Sequence, residues 1–328
     1  MRMAILYHSR EKGRESHLIS YKIDTNDAGM RLDRYLKKLL PKAKPSLLYK
    51  SIRKKNITVN GKRAKEDDML TAGDSVEVFF SDETIEKFSR RPRSAAGKFP
   101  KIVAETEDFL IMDKPVGVLS HGTGRRYEDN MVDRMIAYLI HTEAYNPRAE
   151  HTFTPSVANR LDRNTGGLII GAKTAEGLRH ANLWLRERKL KKYYLTIVEG
   201  RLEDVREVEN YLEKEGEKNR MRESADGKYA RGIYRPLTYG DGCTLVEAEL
   251  ITGRTHQIRQ QLASIAHPIV GDQKYGKKAS AFPALHHQLL HAYKLVFPET
   301  EAFPAVSKKT YLSEPGGKFR AIRRELHV

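Results

Sequence analysis

The tetrapeptide Arg-Leu-Asp-Arg occurs twice in this 328-residue chain, at 31 to 34 and at 160 to 163, and each copy offers a carboxylate beside cations. In the first copy Leu32 belongs to a run in which Leu32, Tyr35, Leu36, Leu39 and Leu40 recur at helical spacing. Asp33 then falls on a polar helix face, where an ion pair is worth little. In the second copy the tetrapeptide continues through Asn164-Thr165-Gly166-Gly167 into the apolar run Leu168-Ile169-Ile170. Asp162 therefore sits on a turn that feeds a buried strand, a place where a fold can hold a side chain rigidly at the edge of a cleft. On these facts alone a turn-stabilising aspartate and a catalytic one are about equally supported.

Other residues with chemical potential are fewer. His286, His287 and His291 invite a metal reading, with the last two four residues apart, but no carboxylate stands at zincin spacing. There is no glycine-rich phosphate loop, and the single cysteine, Cys243, excludes an intramolecular disulfide and a cysteine-rich zinc site. No apolar run is long enough to cross a bilayer and no signal-peptide pattern is present, so a soluble, cytoplasmic and monomeric protein is expected.

The elements that must position these residues fall into two groups. After the leucine-striped helix, which Pro41 ends, a second helix is expected to open with Ser46 as N-cap and to bury Leu47, Leu48 and Ile52. The alternation Ile57-Thr58-Val59 followed by Asn60-Gly61 predicts a hairpin, and a strand is expected over Ser75 to Phe80. Residues 1 to 28 read as an N-terminal extension, 29 to 80 as a small domain, 81 to 100 as a linker without apolar periodicity, and 101 to 328 as a larger domain. In the larger domain, strands at Phe109 to Met112, Leu168 to Ala172, Tyr193 to Val198 and Thr244 to Leu250 alternate with helices near 131 to 141, 174 to 189 and 255 to 266. Trp184 and Leu185 read as helix core. The fold class is α+β with a mixed sheet.

Charge separates the two groups. The net charge is +16, and residues 1 to 98 carry 23 Lys and Arg against 13 Asp and Glu. Such crowding points to a polyanionic partner near the N-terminus. Arg31, Arg34, Lys50, Arg53, Lys54, Lys55 and Lys62 are the candidate phosphate contacts, although for any one of them a merely solvated face is the better bet.

The helix-helix-hairpin segment resembles the small RNA-binding domain of ribosomal protein S4, carried by Met30 to Leu36 and Ile57 to Lys62. In the larger domain Asn159 to Gly167 is similar to the signature of the RluA-type pseudouridine synthases. Three further segments agree with that family in order: Leu110 to Val118 with its Lys-Pro-x-Gly turn, Lys192-Tyr193-Tyr194-Leu195, and Gly253-Arg254-Thr255-His256-Gln257-Ile258-Arg259 followed by His267 to Asp272. Two positions depart from the family pattern, Asn159 where histidine is usual and Gly166 where serine is usual.

The resemblance implies isomerisation of uridine to pseudouridine in RNA. The S4-like domain favours large-subunit (23S) ribosomal RNA as partner over transfer RNA. A non-catalytic RNA-binding assembly factor is the alternative from another class. The reaction exchanges a C1′–N1 bond for a C1′–C5 bond without net oxidation, so no cofactor and no metal are expected. By resemblance Asp162 is the acting carboxylate, as nucleophile or base. Arg254 is then the cation that keeps a carboxylate ionised in a water-poor cleft. Tyr194 packs on or hydrogen-bonds near the target base and is a candidate to assist proton removal from C5, a strand aromatic in the core being its rival reading. Arg160 is the family's candidate for filling the vacated space or holding the flipped nucleotide.

Overall fold

The computed structural model describes residues 6–7, 17–24, 27–88, 98–123, 128–147, 150, 152–216, 220–276 and 285–328. The chain divides into two compact units. The first is Met1–Gly97 with Ile136–Pro155 and Thr174–Glu176, and the second is Lys98–Met135, Ser156–Lys173 and Gly177–Val328. The larger body is thus not the contiguous stretch 101 to 328 that the sequence suggested, because two later segments pack with the first unit.

In the first unit, β1 (Leu6–Tyr7), β2 (His17–Lys22), β3 (Ile57–Val59), β4 (Lys62–Arg63) and β5 (Ser75–Phe80) form one antiparallel sheet in the order β1-β2-β5-β3-β4. Helices α1 (Leu32–Leu39) and α2 (Pro45–Arg53) complete it. Leu32, Tyr35, Leu36 and Leu39 of α1 are buried with Leu48, Ile52, Ile57, Val76 and Val78, as the periodicity requires. Asn60 and Gly61 both take positive φ in the β3–β4 turn.

Three boundaries differ from the sequence reading. The expected extension 1 to 28 supplies β2, which pairs along the whole of β5 and leads into the buried Ile23. The N-cap of α2 is Lys44, not Ser46, because Pro45 is suited to the first helical turn, where its missing N–H goes unneeded. The span predicted as linker contains α3 (Asp82–Phe88), whose Ile85 and Phe88 pack on the first unit's core. Residues 89–97 of that span lie outside the described residues.

The second unit is built on a sheet of eleven strands: β6 (Lys101–Glu105), β7 (Phe109–Lys114), β8 (Ser156–Val157), β9 (Gly166–Ala172), β10 (Lys191–Glu199), β11 (Arg206–Lys214), β12 (Met221–Glu223), β13 (Lys228–Gly240), β14 (Cys243–Leu250), β15 (Leu290–Val296) and β16 (Thr310–Leu312). The main path runs β12-β11-β13-β14-β10-β15-β9-β7-β6, with β8 on β9 and β16 on β15. Every pairing is antiparallel except β15 with β9, so the sheet is mixed. All four predicted strand runs lie within β7, β9, β10 and β14, and the predicted helices form as α4 (Met131–His141), α5 (Ala175–Arg186) and α6 (Gln257–Ser264).

Helix α7 (Gly317–Glu325) closes the chain. Trp184 is core, as expected, within an aromatic cluster with Phe109, Phe297 and Phe303. No helix among the described residues is long and apolar enough to cross a membrane.

The β9–β15 pairing depends on one glycine. Gly167 has φ +108°, and a Cβ there would lie 2.2 Å from the Ala292 carbonyl oxygen. Only glycine lets the strand after the Asp162 turn enter the sheet at this point.

Candidate active site

Asp162 is carried on a turn between β8 and β9 that is tied down from several sides. The Ser120 hydroxyl donates to the Leu161 carbonyl and accepts from the Leu161 N–H, each at 2.9 Å. The Gly117 N–H donates to the Arg163 carbonyl at 2.9 Å, and Arg163 Nε returns a bond to the Gly117 carbonyl at 3.1 Å. Lys114, only 1% exposed, donates from Nζ to the carbonyls of Pro115 (3.0 Å), Val118 (2.7 Å) and Arg163 (3.0 Å). Burial pulls the Lys114 ammonium down to about 8, against the opposing charge of Asp162. This lysine thus stitches the Lys-Pro-x-Gly turn to the aspartate turn.

Asn159, one of the two departures from the family pattern, is also structural. Its Oδ1 accepts from the Ile170 N–H at 2.8 Å, and its Nδ2 donates to the Leu168 carbonyl at 3.5 Å. The other departure, Gly166, sits in a tight place, where a Cβ would meet His291 Nδ1 at 3.2 Å and Val116 Cγ2 at 3.3 Å. Glycine relieves this contact.

The cation at Asp162 is not Arg254 but Arg259. Arg259 Nη1 donates to Asp162 Oδ2 at 3.2 Å. Its Nε and Nη2 form a two-bond fork onto Asp272 at 2.6 and 2.8 Å. Burial opposes the guanidinium charge, yet the Asp272 carboxylate outweighs it and holds Arg259 above its ordinary value. Burial likewise pushes the Asp272 carboxyl up, and the Arg259 guanidinium overcomes it and leaves Asp272 below its ordinary value. Arg259 is therefore a fixed charge, pinned by one acid and aimed at another.

Arg254 is exposed on the loop ahead of α6 and spends its Nε on the Tyr229 carbonyl at 2.9 Å. The reason lies in helix geometry. Position 254 precedes the first turn of α6, whereas 256 and 259 are three residues apart and share a face. His256, at the N-cap of α6, brings Nε2 to 3.7 Å from the same Asp162 oxygen.

Helix α6 is itself held by buried polar groups. Tyr234 donates to Gln261 Oε1 at 2.6 Å, Gln261 donates to Asn210 Oδ1 at 2.9 Å, and Asn210 donates to Gln260 Oε1 at 2.9 Å. A satisfied buried network of this kind fixes one orientation of the helix, and so the aim of Arg259.

Tyr194 lies on β10 with Ala248 and Ala292 as its cross-strand partners, 5% exposed. Burial, with the charge of Asp162 adding to it, pushes its hydroxyl well above the ordinary tyrosine value. The side chain of Lys192, two residues earlier on β10, makes no hydrogen bond or ion pair among the described residues, and burial pulls it down to about 8. Its Nζ lies 3.5 Å from where a Gly253 Cβ would be, beside the loop that enters α6. Arg160 is exposed immediately ahead of the aspartate turn.

Comparison with known proteins fits this geometry. Residues 108–264 match the family model of the RNA pseudouridylate synthases, a span that holds Asp162, Tyr194 and Arg259, and residues 30–76 match the S4 domain. A protein of Vibrio cholerae serotype O1 named ribosomal large subunit pseudouridine synthase C is 32% identical over 89% of this chain and 91% of its own length. The chain belongs to the RNA pseudouridylate synthase family.

A Nitrosomonas europaea protein named ribosomal large subunit pseudouridine synthase D is also 32% identical, over 84% of this chain and 79% of its own length. Among solved structures, human RNA pseudouridylate synthase domain containing 4 shares the fold with a TM-score of 0.55 at 21% identity, covering 69% of this chain and 93% of that one. The protein is therefore a pseudouridine synthase, an isomerase, with an N-terminal S4 domain that binds RNA.

Within that S4 domain the structure places Arg34, Lys50, Arg53, Lys54, Lys55 and Lys62 at the exposed surface. Arg31 is different, being half-buried and bonded through Nε and Nη2 to Asp33 at 3.1 Å each. The three histidines do not form a helical pair, since His287 precedes β15 in irregular chain and His291 lies on that strand. His291 Nε2 meets the Ser313 hydroxyl at 2.9 Å. No group of three metal-ligating side chains occurs among the described residues.

Sequence reasoning missed Arg259, Asp272, His256 and Tyr275. The available signal for Arg259 was an arginine directly beside the apolar Ile258 and Leu262 of a helix, where an unpaired charge is costly and a carboxylate partner is required.

Proposed function

We propose that this synthase isomerises uridine in large-subunit ribosomal RNA, with Asp162 as the acting carboxylate and Arg259 as its counter-ion. The observation that carries the assignment of Asp162 is its setting. It is a carboxylate on a turn clamped through Ser120, Lys114 and Gly117, its side chain 27% exposed, with one oxygen engaged by an arginine that Asp272 fixes from behind. Such a group is held rigidly against a fixed positive charge, and it has a second oxygen to offer.

The reaction needs the C1′–N1 bond broken, the base turned, C1′ joined to C5, and the C5 proton removed while N1 gains one. A stacked uridine cannot reach the carboxylate, so the nucleotide is flipped out at a cost of roughly a few kcal/mol, recovered in pocket contacts. Arg160, exposed beside the turn, is placed to hold the flipped strand. Tyr194, kept protonated by burial, serves as a packing surface and hydrogen-bond donor to the base rather than as a base itself. Arg254 falls outside the catalytic set and joins the exposed cations that meet phosphate.

The large-subunit target is supported by the relatives of that name, which align over most of the chain, and by the S4 domain with its exposed basic helix. Mapping pseudouridine in total RNA from cells with and without the gene tests it. Loss at one or more large-subunit positions is expected, and loss confined to transfer RNA overturns the substrate assignment.

A further inference from the structure

Asp162 has two oxygens, and the protein treats them differently. Arg259 Nη1 and His256 Nε2 both address Oδ2, at 3.2 and 3.7 Å, and no hydrogen bond among the described residues reaches Oδ1. His256 is itself in an uncommon state. It is 9% exposed and its backbone is left-handed at φ 51° and ψ 20°, a region few side chains adopt without a local reason. That backbone sends the imidazole from the N-cap of α6 toward the aspartate turn.

The other ring nitrogen is also occupied. His256 Nδ1 lies 3.1 Å from the Tyr275 hydroxyl, and that hydroxyl accepts the Met221 N–H at 2.7 Å. The Tyr275 ring is held edge-on to the imidazole, with the Arg259 and Arg220 guanidinium groups 5.3 and 5.0 Å from its centroid.

We propose that His256 is a positioning residue for Asp162, fixed by Tyr275 in the tautomer whose Nε2–H points at Oδ2, so that Oδ1 is the oxygen presented to the ribose. This rests on Asp162 being the acting carboxylate. The tautomer follows from both ends of the ring. With its oxygen already accepting from Met221, the Tyr275 hydroxyl has one proton to give, and Nδ1 is the acceptor in reach. The opposite tautomer would aim an imidazole lone pair at a carboxylate. The distance of 3.7 Å is longer than a hydrogen bond, and such contacts close when substrate completes the site.

The surroundings of the imidazole favour its neutral form. Burial lowers its pKa, Arg259 and Lys274 push the same way, and Asp162 and Asp272 oppose. Its protonation at lower pH would set a second full positive charge against Oδ2 and draw electron density from the reacting oxygen.

The test is the pH dependence of tritium release from RNA labelled at uracil C5, measured with wild-type enzyme, His256→Ala, His256→Gln, Tyr275→Phe and Asp162→Asn. His256→Ala is expected to lose about tenfold to a hundredfold in kcat with KM for RNA unchanged. His256→Gln keeps an N–H donor without a titrating ring, so it should recover most of kcat and lose the part of the acid limb that belongs to imidazole. Tyr275→Phe removes the donor that stabilises the neutral ring, so the acid limb should move to higher pH, a reading that stands even where His256→Ala fails to fold. Wild-type kcat in His256→Ala, or one acid limb shared by wild type, His256→Gln and Tyr275→Phe, overturns the proposal. Turnover surviving in Asp162→Asn would instead overturn the role of the carboxylate itself.

Discussion

The two Arg-Leu-Asp-Arg segments are identical in sequence and opposite in design. Asp33 finds its partner two residues away, in an Arg31 side chain that is 43% exposed, and caps the Arg34 N–H on its own helix. Asp162 takes its partner from position 259, on an arginine side chain that is 7% exposed. A local pair between residues two apart, one of them 43% exposed, is worth about 0–1 kcal/mol. A carboxylate whose counter-ion comes from another element, itself anchored by a third residue, costs far more to build and stays where it is put. The tetrapeptide encodes neither outcome. What differs is the element that carries it, the polar face of an amphipathic helix in one case and a clamped turn entering a buried strand in the other.

The widest gap between the two should appear on neutralising each aspartate. Asp162→Asn is expected to lower tritium release by at least about a thousandfold while leaving RNA binding intact. Asp33→Asn should leave turnover within about twofold and shift stability by under about 1 kcal/mol. Comparable turnover in the two variants would break the comparison.

Next in size is removal of the anchor. Asp272→Asn leaves Arg259 buried without its fork and should cost about 3–5 kcal/mol of stability, read by denaturant unfolding, along with most of the activity. Because Asp272 is held below its ordinary value in the folded chain, its contribution is present above the ordinary carboxylate range. It is lost as the pH falls through the lowered folded value. The acid-unfolding curve of the variant should therefore lack that part of the wild-type slope.

This contrast also marks how far the sequence could be read. The leucine stripe, the Asn60-Gly61 hairpin and the strands around Asp162 and Tyr194 were legible because each is encoded by periodicity or turn chemistry within a few residues. The helix start at Pro45 and the hidden helix Asp82–Phe88 were misread by one short-range signal overriding another. The pairing of β2 with β5, and the transfer of Ile136–Pro155 to the first unit, depend on contacts between distant segments that no local pattern records.

The choice of Arg254 over Arg259 failed for a related reason. Both arginines stand in the same motif, and only the phase of α6 relative to the aspartate turn decides between them. Arg254→Ala should accordingly reduce kcat much less than Arg259→Ala. Arg259→Lys should behave like the alanine variant, since an ammonium cannot hold a two-bond fork on Asp272 and reach Asp162 together.

The smallest effects concern cations that lack a designed partner. Lys192, pulled down to about 8 by burial, binds its proton less readily in the folded chain than in the unfolded one. Between that value and the ordinary lysine value the unfolded state holds more protons, so stability should rise with pH across this window. In Lys192→Met this rise should shrink by something on the order of 1 kcal/mol, read as a flatter dependence of Tm on pH.

A single exposed lysine of the S4 domain gives the finest test. Lys54→Ala removes a charge at the end of α2 that makes no ion pair among the described residues. The expected result is a fall of about one in the slope of log binding constant against log salt, with kcat unchanged, because a phosphate contact positions RNA without touching the reacting base. A change in kcat instead would mean that the S4 domain does more than hold the substrate, and that the division between a solvated cation and a built one, drawn from Asp33 and Asp162, fails for the lysines.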